Sequence, residues 1–168
     1  NNAAAVITLV KHFQHTLTVS DEQIEQGLKK AVVIGRLQKL ADAPELLVDV
    51  AHNPQSAAAL GDYLENNPIE GKTIALFSAL IDKDLKGIVD PVSAYFDEWH
   101  IAQLDGPRAY KNAHIIDELK SLNIQKPIKS HTNFKTALQS LQNGLKPQDR
   151  VVAFGSFLVV SSMLENLP

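Results

Sequence analysis

The chain has no cysteine, so neither a disulfide nor a thiolate metal site is open to it. Charge of one sign is also lacking: 16 Lys and Arg stand against 19 Asp and Glu, a net charge of −3, with no basic block. Nucleic-acid binding therefore has little electrostatic support. No apolar run approaches the ~20 residues of a membrane-spanning helix, and no charged-then-apolar stretch reads as a secretory leader. Repeats, low-complexity tracts and the G-x-G-x-x-G dinucleotide fingerprint are all missing. So is a Gly-x-Ser-x-Gly elbow, which argues against Ser156 as an acyl nucleophile. Gly71-Lys72-Thr73 has the ending of a phosphate-binding P-loop, but Asn66 stands where its first glycine is needed and a strand, not a helix, follows. The only methionine is Met163 and the chain starts Asn1-Asn2, which leads to the expectation of a fragment or processed product.

The composition itself is ordinary. Of 168 residues, 45% are hydrophobic and 21% charged, enough for one domain with a core and a small appendage. Apolar residues at helical spacing (Ala3, Val6, Ile7, Val10, Phe13) predict a first helix. A second should start at Ser20, with Gln23 as its capping-box partner and Asp21 and Glu22 in the first turn. Two helices without a strand differ from everything after them. Residues 1–33 therefore read as the tail of another domain plus a linker, and residues 34–168 as an α/β domain.

In that second part strands and helices alternate. Strands are expected at 37–40, as a short edge strand, and at 46–50, 73–77, 98–104, 128–130 and 151–154. Helices are expected at 54–66, 85–96, 113–122, 134–142 and from 157 to about 164. The alternation predicts a Rossmann-like, mostly parallel sheet with helices on both faces. Ligands bind such sheets outside the carboxyl ends of the strands. Three turns leave those ends, at 49–54, 105–108 and 155–157, and they carry the least ordinary local chemistry in the chain.

The first of these turns is the most informative. Val48-Asp49-Val50-Ala51-His52-Asn53-Pro54 delivers an acid, an imidazole and an amide to a point where Asn53 can cap a new helix and Pro54 can open it. Asp49 either caps the turn or accepts hydrogen bonds from ribose hydroxyls. His52 either packs at the helix end or donates to a phosphate or carboxylate. Arg108, after Gly106-Pro107, is a loop salt bridge or an anion clamp, and Arg36, after Gly35, could reach a phosphate. His12 and His15 could share a helix face, but nothing nearby completes a metal site. Convergence of four such residues on one crevice favours a ligand site.

Taken together, Gly35-Arg36-Leu37-Gln38, Asp49-Val50-Ala51-His52-Asn53-Pro54, Asp82-Lys83-Asp84, Leu104-Asp105-Gly106-Pro107-Arg108 and Gly155-Ser156-Phe157 form a longer pattern. It resembles the C-terminal part of the dihydrofolate synthase/folylpolyglutamate synthase family of ATP-dependent Mur ligases, in order and over essentially the whole chain. The resemblance implies an ATP- and Mg²⁺-dependent ligase that adds L-glutamate to dihydropteroate or folate through an acyl phosphate. It implies that the P-loop lies on an N-terminal ATPase domain of the same protein, that residues 1–33 close that domain, and that the fragment alone is inactive. By the matching motifs Asn2 would lie near adenine, Asp49 would hold the ribose and Arg36 would contact the nucleotide phosphates. His52 and Ser156 would serve the glutamate or phosphate side, and Arg108 has no ligand assigned. A monomer in the cytoplasm, without nucleic acid or membrane, is likewise implied. A peptidoglycan ligase of the same superfamily and a stand-alone α/β binding module are the competing readings.

Overall fold

The computed structural model describes residues 2–31 and 33–166, with the side chain of Asn2 outside the described residues. The chain divides into two compact units, Asn1–Ile34 and Gly35–Pro168. The first holds helices α1 (Asn2–His12) and α2 (Asp21–Lys30). Ser20 caps α2 through a complete capping box: its Oγ accepts from Gln23 N at 3.2 Å, and Ser20 N donates to Gln23 Oε1 at 2.9 Å.

The second unit is a six-stranded sheet in the order β1-β2-β6-β3-β4-β5. Its strands are β1 (Gln38–Asp42), β2 (Glu45–Asp49), β3 (Thr73–Phe77), β4 (Glu98–Ala102), β5 (Ile128–His131) and β6 (Arg150–Phe154). β1 pairs antiparallel with β2 at one edge; all other pairs are parallel. β2, β3 and β6 are continuous apolar runs because both sheet faces are covered. Leu47, Ala75, Phe77, Trp99, Val152 and Phe154 point to one core. Val48, Ile74, Leu76, Ala102, Val151 and Ala153 point to the other. The alternation follows from the two-residue period of a strand. On the first face lie α3 (Pro54–Asn66), α4 (Leu85–Val89) and α5 (Asn112–Ser121), with Phe96, Trp99 and Phe154 packed ring to ring. On the second lie α6 (Phe134–Gln142) and α7 (Phe157–Asn166).

Two expected elements are corrected. The helix read over 85–96 stops at Val89 and continues as a 3₁₀ helix, Asp90–Tyr95. Pro91 has no N–H for an α-helical bond, and its ring crowds the preceding turn. The strand read over 98–104 also ends earlier, at Ala102.

α3 starts as its sequence dictates. Asn53 Oδ1 accepts from Ser56 N at 2.9 Å, with Pro54 in the first turn. Asn53→Ala is expected to cost about 1 kcal/mol, read as a lower urea midpoint with an unchanged slope.

Candidate functional site

β2, β6 and β3 lie side by side and end level, since Asp49 is in register with Phe154 and Phe154 with Phe77. The segments leaving these three ends are therefore neighbours: 50–53 after β2, 155–156 after β6, and 78–84 after β3. Each carries polar side chains; two of them belong to the turns read at 49–54 and 155–157, while the third turn read, 105–108, follows β4 and its place here is taken by the loop after β3.

Asp49 is buried, 4% exposed, and both its oxygens are engaged. Oδ1 accepts from Ala51 N at 2.6 Å and Oδ2 from Leu37 N at 2.8 Å. Leu37 is a non-glycine residue with φ of 42°, and Gly35, two residues earlier, has φ of 72°. The carboxylate thus holds a turn in the left-handed region, and that turn presents Arg36. The Arg36 guanidinium lies 3.9 Å from Asp49 Oδ1 and is part exposed. Burial pushes the Asp49 carboxyl above the usual range, against the opposing pull of Ala51 N–H, Leu37 N–H and Arg36.

His52 follows on the same segment. Its Nδ1 is buried without a partner among the described residues, and its ring lies 6.2 Å from that of Phe157. Burial lowers its pKa, as do the positive charges of Lys83 and Arg36, and together they outweigh Asp49 and Asp82. The imidazole is therefore biased toward its neutral form, with a lone pair free to take a proton.

Ser156 is 3% exposed, and its Oγ accepts from Val159 N at 3.2 Å. It is the N-cap of α7, so the hydroxyl is engaged in starting a helix whose positive end faces the strand ends. Phe157 and Leu158 in the first turn of α7, and Ile81 in the loop after β3, are exposed large apolar residues.

The loop after β3 supplies charges that motif reading had left without a role. Asp82 accepts from Lys83 Nζ at 2.8 Å and from Arg108 Nη2 at 3.0 Å. The two cations, Lys83 first, hold its carboxyl down at about 2. Arg108 is thus an ion-pair partner rather than a free clamp. Lys83 is the residue that sequence reasoning passed over: Asp82-Lys83-Asp84 was visible, but not that folding brings its ammonium within electrostatic reach of His52. Asp84 has a separate task, capping α4 through Gly87 N at 2.9 Å. Among the described residues no group of three His, Cys, Asp or Glu side chains could hold a metal ion. The Asn2 position near adenine lies outside the described side chains.

Residues 35–157 match the family Mur ligase, glutamate ligase domain. The chain is 29% identical over 164 residues to dihydrofolate synthase/folylpolyglutamate synthase of Escherichia coli (strain K12), covering 98% of this chain and 37% of that protein. It therefore spans about two fifths of that relative's length. Escherichia coli FolC in complex with ADP, without folate substrate, superposes with a TM-score of 0.87 over 98% of this chain and 38% of that one, at 29% identity. A bifunctional folylpolyglutamate synthase/dihydrofolate synthase with Mn, AMPPNP and L-glutamate bound gives 0.82 over 96% and 38%, at 34% identity. With the parallel sheet and its level strand ends already in place, the chain belongs to the Mur ligase family, as its glutamate ligase domain.

Proposed function

We propose that this chain is the C-terminal domain of an ATP-dependent ligase that adds L-glutamate to dihydropteroate, to (tetrahydro)folate, or to both. The observation that carries the reading is the set of side chains at the ends of β2, β6 and β3. An Asp49-anchored Arg36, a neutral-biased His52 and Lys83 meet there beside the N-terminus of α7. The solved relative holding AMPPNP, Mn and L-glutamate supports a nucleotide, a divalent cation (Mg²⁺ in the cell) and the amino acid as ligands.

The reaction joins a carboxylate to an amine. The pterin-side carboxylate takes the γ-phosphoryl group of ATP, and the glutamate amine then attacks the acyl carbon as phosphate leaves. Positive charge must stand where phosphate charge develops, and Arg36 is suited to that because guanidinium stays ionised and binds phosphate as a fork. The attacking amine must shed a proton, which the bare nitrogen of a neutral His52 can accept. The α7 N-terminus, capped by Ser156, offers countercharge to the glutamate carboxylates or the departing phosphate, and Lys83 adds what its pairing with Asp82 leaves over. Asp49 keeps spare lone pairs for a ribose hydroxyl, although its first task is to fix the Arg36 turn. Residues 1–33 as the end of an ATPase domain, Asn2 near adenine and a cytoplasmic monomer complete the proposal.

The test is phosphate release by the full-length parent protein with ATP, Mg²⁺ and glutamate, offering dihydropteroate, tetrahydrofolate or a muramoyl nucleotide in turn. Turnover that requires a pterin acceptor, and falls about a hundredfold in His52→Ala, is the expected result. Turnover with the muramoyl nucleotide alone would move the protein to the peptidoglycan branch. Silence with every acceptor would overturn the ligase reading.

A further inference from the structure

Away from that crevice, on β4 and β5, lies a group of titratable side chains with no part in the proposed chemistry. His100 on β4 is 1% exposed. Its Nε2 lies 3.0 Å from Glu98 Oε1, and its Nδ1 lies 3.0 Å from Nε2 of His131, the last residue of β5. The two rings are stacked, 4.9 Å between centroids and 17° between planes. Lys129 Nζ approaches the same Glu98 oxygen at 2.5 Å. The parallel register brings them together, with His100 opposite Lys129 and Ala102 opposite His131. Glu98, His100 and Lys129 line one wall of an open cavity of about 530 Å³. The other charges around it are Glu70, Lys72, Asp97, Lys146 and Asp149. Asp149 is tied to the backbone N–H groups of Lys72 and Lys146, and Asp97 to Thr73 N and Lys126.

The hydrogen-bond directions follow from the charge on Glu98. Burial alone would raise its pKa, but Lys129 and His100 outweigh that and hold the carboxyl below its usual range. An ionised Glu98 can only accept, so His100 Nε2 carries the hydrogen and its Nδ1 is bare. That bare nitrogen accepts from His131 Nε2–H, which leaves His131 Nδ1 unprotonated. A first proton at His131 Nδ1 leaves these bonds in place, since the imidazolium Nε2–H still donates to the bare Nδ1 of His100, but it adds a positive charge in the field of Lys129. A second proton, at His100 Nδ1, sets two N–H groups face to face across 3.0 Å. The doubly protonated pair has no bond between its rings and repels itself.

We infer that the stacked pair His100–His131 is a proton-operated latch on the edge strand β5, and that acid releases β5 together with the loop carrying Arg108 into the candidate crevice. β5 has four residues and pairs with β4 alone in the sheet, so it has half the ladder of an inner strand, with Ile128 against the core and Asn112 on Ser130 and His131 as its further holds. The link to the crevice is a continuous set of bonds. The His131 carbonyl accepts from Gln103 N at 3.0 Å and from Asn112 Nδ2 at 2.8 Å. Gln103 Nε2 then donates to Leu104 O and Tyr110 O, clamping both ends of the loop. Within the loop, the Arg108 carbonyl accepts from Ile81 N at 2.8 Å and its guanidinium pairs with Asp82, next to Lys83. The latch stands on the geometry of this chain whether or not the ligase reading holds.

The sign of the effect is set by the histidines. Burial, as the leading cause, lowers both below the ordinary imidazole value, with Lys129 adding to it in each case and Glu98 partly opposing it for His100. A histidine depressed by folding contributes stability that is fully present above the unfolded-state value of ~6.5 and lost as pH falls through the folded one. The latch is closed at neutral pH and opens in acid.

Backbone hydrogen exchange of the chain, corrected for intrinsic rates, tests this at about pH 7.5 and about pH 5. In the wild type, protection along β4–β5 and at Gln103 and Ile81 should fall at least about tenfold in acid, while β2, β3 and β6 stay protected. In His131→Gln, whose amide does not titrate, donates to a neutral His100 and can turn over to accept from a protonated one, the acid loss should vanish. A uniform fall across the sheet, or the same fall in His131→Gln, would overturn the latch. If that variant does not fold, NMR titration of the wild-type imidazoles decides instead. Loss of β5 protection must track the coupled His100–His131 steps; loss at a pH where neither titrates, or no loss through both, rejects it.

Discussion

Gly155→Ala should destabilise this domain by about 4 kcal/mol, more than an ordinary point substitution. Gly155 has φ of 115°, in the region that L-residues rarely enter. Adopting it costs a residue with a Cβ about 1–3 kcal/mol. A second cost comes from the neighbouring strand. A Cβ there would overlap the Ser78 carbonyl oxygen and lie 2.7 Å from Phe77 Cε2. Neither can give way easily, because Ser78 and Phe77 are fully buried and Phe77 packs against Trp99 and Phe154. Overpacking of this kind adds about 1–3 kcal/mol. The only relief is a shift of the β6–α7 turn, which would displace Ser156 and its cap on Val159. Gly106→Ala separates the two costs, since Gly106 has φ of 100° but open space around the missing Cβ. Urea unfolding of both variants gives the answer: the collision is real if Gly155→Ala loses at least about 2 kcal/mol more than Gly106→Ala, and absent if they match.

The same turn shows what was legible in the residues and what was not. Gly155-Ser156-Phe157 could be read as a strand-to-helix turn, because an apolar run precedes it and helical spacing follows. That Gly155 must be glycine could not be read, since the reason is the carbonyl of Ser78, 77 residues earlier, brought alongside by the parallel pairing of β3 with β6. Helix starts are legible where the cause is a nearby side chain. The capping boxes at Ser20 and Asn53 are three-residue events, and both stand in the structure. The helix at 85–96 was extended too far because its apolar spacing was weighed above Pro91. Register is the information a single sequence withholds. It made the neighbours His100 and His131 invisible as a pair, and it brought the charge of Lys83 to bear on His52 across a strand order no motif encodes. Two of the three strand ends at which the candidate site is described, those of β2 and β6, are legible as turns; the loop after β3 and the electrostatics come from the fold.

Asp49→Asn should be the most damaging conservative change in the crevice, because the carboxylate is asked for two acceptors. Oδ1 serves Ala51 N–H and Oδ2 serves Leu37 N–H. An amide of the same shape offers one acceptor oxygen; its NH₂ must face the other N–H, donor against donor. Asn does remove a buried charge, and burial raises the Asp49 carboxyl. By linkage that raised value means the ionised form costs some stability at neutral pH, a cost that fades as pH falls towards the unfolded-state value. The gain from removing the charge is smaller than the loss, since the clash leaves a buried N–H unpaired and deprives Arg36 of its counter-ion. We expect a net loss of about 2–3 kcal/mol, with the larger share from the Leu37 side, where a non-glycine residue is held at φ of 42°. Release of Leu37 lets the turn relax and carries Arg36 away from the phosphate position proposed for it. A misplacement of about 1 Å there costs on the order of a hundredfold in rate. Full-length Asp49→Asn should therefore lose both thermal stability and turnover, and its exchange protection should fall first at the amide of Leu37. If stability is unchanged while turnover collapses, Asp49 acts on the ligand directly, as a ribose acceptor, and the anchoring role assigned to it is wrong.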